Sequence, residues 1–108
     1  LIPFCVEPWQ LIVGEVLPQQ IVDMRSAERF HRGHLPGARC LSYEAFQGEA
    51  LTLLDRGQSV LVVDPQGARA AEMATWLRAR GYDAGYLEGG MASWTGPLTQ
   101  GPGRRPDP

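Results

Sequence analysis

Val60-Leu61-Val62-Val63 is an apolar run with no polar alternation, the pattern of a central parallel strand covered on both faces. Ile21-Val22-Asp23-Met24, after a turn at Pro18, reads as a second short buried strand. Phe4-Cys5-Val6, Arg39-Cys40-Leu41 and Tyr82–Leu87 are three further strand candidates. Helical signals fall between them. Pro8 at a first helical position, then Trp9, Leu11 and Ile12 with a stop at Gly14, predicts a brief helix. Ser26 is placed to cap a helix of one or two turns through Ala27-Glu28-Arg29-Phe30 that ends by Gly33. Ser42 caps a longer one, with Phe46, Ala50, Leu53 and Leu54 on a single face, closed by the turn Asp55-Arg56-Gly57. Ala70, Ala71, Ala74 and Leu77 line one side of the next helix, which stops at Gly81. Gly89-Gly90 then turns into a short helix carrying Met91 and Trp94.

Strands and helices alternate throughout. The expected class is therefore α/β: a three-layer α/β/α domain whose mostly parallel, five-stranded sheet lies between helical layers. With 108 residues the chain is expected to form one domain over residues 1–98, followed by a flexible tail over 99–108. The stretch Gly101–Pro108 holds three prolines, two glycines and two arginines, too little apolar surface to offset ordering. A docking patch at Arg104-Arg105 is weighed well below a solvated tail.

Composition removes whole classes of function. A hydrophobic content of 44%, a charged content of 20% and a net charge of −2 give no electrostatic case for nucleic acid. All ten cationic residues are arginine, which excludes Schiff-base chemistry on lysine. Cys5 and Cys40 are too few and too far apart for a metal knuckle or a redox pair, so packed reduced thiols are expected and no metal or cofactor is called for. No stretch approaches the roughly 20 apolar residues of a membrane span. The start Leu1–Val6 is too short for a secretory signal, so the expected compartment is the cytoplasm.

The segment Asp64-Pro65-Gln66-Gly67-Ala68-Arg69 leaves the Val60–Val63 strand and enters a helix. A strand, a Gly-bearing loop and a helix start together make an anion cradle, because the first N–H groups of a helix lack internal partners. Asp64 stands at the mouth of that cradle. Its carboxylate can accept N–H bonds from Gly67, Ala68 or Arg69, making it a built-in anion. Pro65 fits, since it removes one N–H that an external anion could have used. Arg69 is the remaining candidate for anion recognition, with an ion pair to Asp64 weighted at least equally. Asp23 is expected to bond loop backbone or to pair with Arg25 or Arg69. Phosphoryl transfer on Asp64 would need a metal and partner carboxylates, which the loop does not supply. Trp9, Trp76 and Trp94 read as packing residues; Trp76, off the apolar stripe, would mark a partner surface if exposed.

Several segments, in order and at matching spacing from about Phe4 to about Gly96, resemble the rhodanese-like (sulfurtransferase) domain family. Ile21–Arg25, Glu28 and Gly33-His34-Leu35-Pro36-Gly37-Ala38 look like its first signature. Val60–Val63, the loop 64–69, Gly81-Tyr82 and Leu87-Glu88-Gly89-Gly90-Met91-Ala92-Ser93-Trp94 look like its second half. The resemblance implies a six-residue active loop of the form Cys-x-x-Gly-x-Arg, whose cysteine carries a sulfane sulfur as a persulfide. Gly67 and Arg69 match that form and Asp64 does not. It also implies a turn-fixing role for His34, which with Asp23 and Arg25 is expected to support the pocket; His31 is expected to be exposed. A carboxylate oxygen cannot hold a sulfane sulfur as a thiolate does. The expected function is thus a rhodanese homologue, inactive as a thiosulfate or persulfide sulfurtransferase, that binds or regulates a protein partner. The alternatives are a sulfur carrier working through Cys5 or Cys40 and a small-anion binder working through the Asp64–Arg69 loop.

Overall fold

A computed structural model describes residues 1–103. In chain order the elements are β1 (Cys5–Val6), α1 (Pro8–Ile12), β2 (Gln20–Asp23), α2 (Ala27–Arg32), β3 (Arg39–Cys40), α3 (Tyr43–Leu53), β4 (Val60–Val63), α4 (Ala68–Arg78), β5 (Ala84–Leu87) and a short 3-10 turn at Gly90–Ser93. The strands lie in the order β1-β5-β4-β2-β3. Every pairing is parallel, so the sheet expected to be mostly parallel is wholly so.

β4 occupies the middle, and all four of its side chains are fully buried. Alternation along a strand sends successive side chains to opposite faces. Val60 and Val62 accordingly join Phe46, Ala50, Met73, Ala74 and Leu77 beneath α3 and α4. Leu61 and Val63 join Val6, Phe30, Leu35 and Leu87 on the side of α1 and α2. Two cores, one on each side of the sheet, give the three layers.

Local chemistry explains where the helices start. Ser26 Oγ accepts the Arg29 N–H at 3.3 Å, and Ser42 Oγ accepts the Ala45 N–H at 3.2 Å. Pro8 opens α1 as expected. Three positions differ from the sequence reading. In α4 the buried face is Ala70, Met73, Ala74 and Leu77, and Ala71, about 100° further round the helix, is only half-buried. Leu53 is 37% exposed, because the chain turns extended at Leu54 and that residue takes the core position instead. Trp9, read as a packing residue, is 54% exposed because the five-residue α1 buries none of its side chains, whereas Trp76 packs as expected, half-buried and edge-on to Phe46 with the Arg80 guanidinium 3.9 Å from its ring centroid.

The first residues of the segment expected to be a flexible tail make main-chain bonds to the domain. Thr99 and His34 exchange backbone bonds of 2.8 and 2.9 Å, and the Gly101 N–H donates to the His31 carbonyl at 3.0 Å. Residues 99–103 are thus tied to the end of α2 by ordinary main-chain pairing, a signal that Pro/Gly composition does not reveal. Arg104 and Arg105 lie outside the described residues. Among the described residues, no helix is long and apolar enough to cross a membrane.

Candidate functional site

A wholly parallel sheet gathers the carboxyl ends of its strands along one edge, where open α/β sheets place their sites. The loop 64–67 emerges there from β4, flanked by the caps of α2 and α3.

Asp64 is 2% exposed, and its side chain points into the loop. Oδ1 accepts the Gly67 N–H; Oδ2 accepts the N–H groups of Arg69 at 3.0 Å and Ala70 at 3.1 Å. Three donors converge on one carboxylate at the positive end of α4. The sequence named Gly67 and Arg69 correctly. It offered Ala68 as the third donor, whereas the structure uses Ala70. Gly67, the N-cap of α4, has no side chain with which to cap, so Asp64 supplies the oxygen from three residues upstream.

The loop is pinned from below. Met91 N–H donates to the Asp64 carbonyl at 2.9 Å and Ala92 N–H to the Pro65 carbonyl at 3.0 Å. This requires near contact of two backbones at Gly90: a Cβ there would stand 2.5 Å from Asp64 O, Gln66 N and the Pro65 carbonyl carbon. Its φ of +61° is a second reason for glycine. The sequence singled out Gly89-Gly90, but nothing in the letters shows what they touch.

Above the loop lies a cavity of about 240 Å³, lined by Arg25, Ser26, Arg29, Ser42, Tyr43 and Arg69, with Asp64 and Pro65 at its floor. The Arg69 guanidinium sits 4.4 Å from the centroid of the Tyr43 ring and makes no ion pair with Asp64, whose oxygens are already occupied by backbone. The ion-pair alternative is corrected by that stacking. Tyr43 in turn donates its hydroxyl to Glu72 at 2.7 Å, a bond that raises the phenol above its ordinary pKa.

Asp23 is fully buried and pairs with Arg25, the closest contact being 2.8 Å. The same guanidinium donates to the Gly33 carbonyl at 2.7 Å, which links the end of β2 to the turn after α2. Next to Gly33, His34 is buried with its ring stacked on Phe30 at 3.9 Å and Nδ1 2.8 Å from the Phe30 carbonyl. It fixes that turn and does not line the cavity; His31 is exposed.

Neither thiol reaches the cavity. Cys5 Sγ lies 2.8 Å from Glu88 Oε2, which also accepts the Tyr86 hydroxyl at 3.0 Å. Burial, then the bond to Glu88, raises the Cys5 pKa above its ordinary value. Cys40, 3.7 Å from the Arg25 carbonyl, is raised chiefly by burial and next by the Asp23 carboxylate, with Arg25 pulling the other way. Both environments keep the neutral thiol, the opposite of what a sulfur nucleophile needs.

A family model for the rhodanese-like domain matches residues 10–97. The chain belongs to the rhodanese-like domain family. Over 79 residues it is 35% identical to the thiosulfate sulfurtransferase GlpE of Shewanella oneidensis, covering 69% of this chain and 74% of that protein. A rhodanese-like domain protein from Staphylococcus aureus superposes with a TM-score of 0.77 at 28% identity, over 90% of this chain and 97% of that one. The rhodanese-like domain from an Anabaena protein superposes with a TM-score of 0.77 over 98% and 89% of the two chains, at an identity of 22% that speaks for the fold alone.

Proposed function

We propose that this rhodanese-like domain has lost sulfurtransferase chemistry at its loop and acts as a non-catalytic binding or regulatory module. The observation that carries the reading is the Asp64 carboxylate accepting three N–H bonds from Gly67, Arg69 and Ala70. Sulfur transfer of the kind named for the relative needs a nucleophile that can form and then release a sulfur–sulfur bond. A thiolate at the head of this loop would be polarizable and stabilised by the same N–H dipoles. An aspartate uses those dipoles to satisfy itself and offers no atom on which a sulfane sulfur can ride. Family membership does not supply the missing chemistry, because function resides in the site and not in the fold.

Two features weigh against the alternatives. The raised thiols of Cys5 and Cys40 lie outside the cavity, which disfavours a sulfur carrier built on either. A small-anion binder would need free loop amides, and the three that converge are taken. Calorimetry with thiosulfate, sulfate and phosphate is expected to be silent.

The decisive variant is Asp64→Cys. The wild type should form no thiocyanate from thiosulfate and cyanide, and the variant should gain measurable turnover because the cradle is already in place. A folded but silent variant would overturn the view that the nucleophile is what the loop lacks.

A further inference from the structure

Helix α2 has six residues, too few to be stable alone, and Phe30 is the one residue it buries. Its position therefore depends on what meets its two ends and that ring. At its start Ser26 Oγ supplies the cap, and Ser26 and Arg29 form part of the wall of the cavity above the loop 64–67. At its end the last carbonyls need donors from outside the helix. Residues 99–103 supply them. The Gly101 N–H donates to the His31 carbonyl at 3.0 Å, and Gln100 Nε2 donates to the Arg32 carbonyl at 3.3 Å. Gly103 lies over the anchor itself: a Cβ there would stand 2.4 Å from Phe30 Cζ and 2.7 Å from the Ala38 carbonyl oxygen.

This strap holds α2 without being part of either core. None of the residues 99–103 is buried, whereas all four side chains of β4 are. Its polar hold, among the described residues, is the Thr99–His34 bridge and the two bonds to the end of α2. A segment with no buried side chain and so few bonds opens far more readily than the sheet does. The end of α2 is also tied back to the cavity. Arg25, which lines it, donates to the Gly33 carbonyl at 2.7 Å while pairing with Asp23.

We propose that residues 99–103 are a latch. Closed, they hold α2 and with it the Ser26–Arg29 side of the cavity; released, they free that wall while the sheet and the Asp64 loop stay in place. Linkage makes the effect reciprocal, so whatever fastens the wall also holds the latch closed. The inference involves no sulfur chemistry, and its failure leaves the reading of Asp64 standing.

Amide hydrogen exchange of the full chain, read residue by residue by NMR, tests this. The acceptors of the Arg29 and Phe30 amides both lie on Ser26, away from the strap. In the wild type these two amides should exchange together with those of Thr99 and Gly101, and at least about tenfold faster than the amides of β4. Thr99→Pro removes the N–H that bonds the His34 carbonyl at 2.8 Å. It should speed exchange at Arg29 and Phe30 at least about tenfold and leave β4 unchanged. Ser26→Ala, at the cavity end, should in turn speed exchange at Thr99 and Gly101 about fivefold, the effect of a lost N-cap carried the length of the helix. Gly101→Ala, strained at a φ of +101° with open space around the added carbon, applies the same release more gently if the proline variant does not fold. The proposal is overturned if Arg29 and Phe30 keep wild-type protection in the strap variants, if β4 loses protection in step with them, or if Ser26→Ala leaves Thr99 and Gly101 untouched.

Discussion

Asp64 carries two burdens that a surface aspartate would not. It accepts the N–H groups of three residues at the start of α4, and it does so while only 2% exposed. Removing the side chain by Asp64→Ala leaves three N–H groups without a partner, two of them buried. Each unsatisfied buried donor costs on the order of 1–3 kcal/mol, so the variant should lose about 2–5 kcal/mol of stability in urea unfolding. Formate, compared with chloride at the same ionic strength, should return part of that loss to the variant and none to the wild type, since only the variant has a vacant cradle. A variant as stable as the wild type would show that the carboxylate is dispensable to the loop. At this scale the sequence was informative because a carboxylate heading a Gly-bearing loop has few other partners within reach. The third donor was misassigned because which N–H groups turn toward the carboxylate depends on the approach angle of α4, and residue types do not encode that angle. The stacking of Arg69 on Tyr43 was likewise invisible, since it joins residues that are brought together only when α3 packs beside α4.

Elements set the shape of the loop from outside it. The 3-10 turn at Gly90–Ser93 lies directly under residues 64–66 and holds them through two main-chain bonds. Gly90→Ala would drive a methyl into three backbone atoms at 2.5 Å and strain a φ of +61°, for a cost of about 2–5 kcal/mol. Gly37 has a comparable φ of +82° but open space around it, so Gly37→Ala should cost only about 1–2 kcal/mol. Thermal unfolding of the two variants separates crowding from conformation, and equal losses would show that the close approach under the loop is unimportant. Secondary structure was largely readable from the letters. The caps at Ser26 and Ser42 and the buried run of β4 follow from local chemistry. Leu53 and Ala71 were misplaced because a helical face computed from spacing ignores where the chain bends away and how wide the contact stripe is. The pairing of Thr99 with His34 went unseen for a related reason: it joins positions distant in sequence, and composition near a chain end says nothing about such contacts.

The order β1-β5-β4-β2-β3 decides which chemistry the whole molecule can assemble. It puts β1, with Cys5, and β3, with Cys40, at opposite edges of the sheet, with three strands between them and both thiols outside the cavity above the loop. With strands about 4.8 Å apart, no small readjustment brings either thiol to Asp64. Family membership and α/β class were legible because motif order and strand–helix alternation survive in the sequence. The arrangement of the edges was not, since strand order is a property of the folded sheet. The account as a whole is tested most directly by assaying cyanide-dependent thiocyanate formation from thiosulfate, side by side, for the wild type and for the Cys5→Ser, Cys40→Ser double variant. Both are expected to stay at the rate of the protein-free control. Turnover at an enzymatic rate that survives in the double variant would contradict the central claim that the Asp64 loop cannot carry sulfur, and turnover present in the wild type alone would transfer the activity to one of the two thiols.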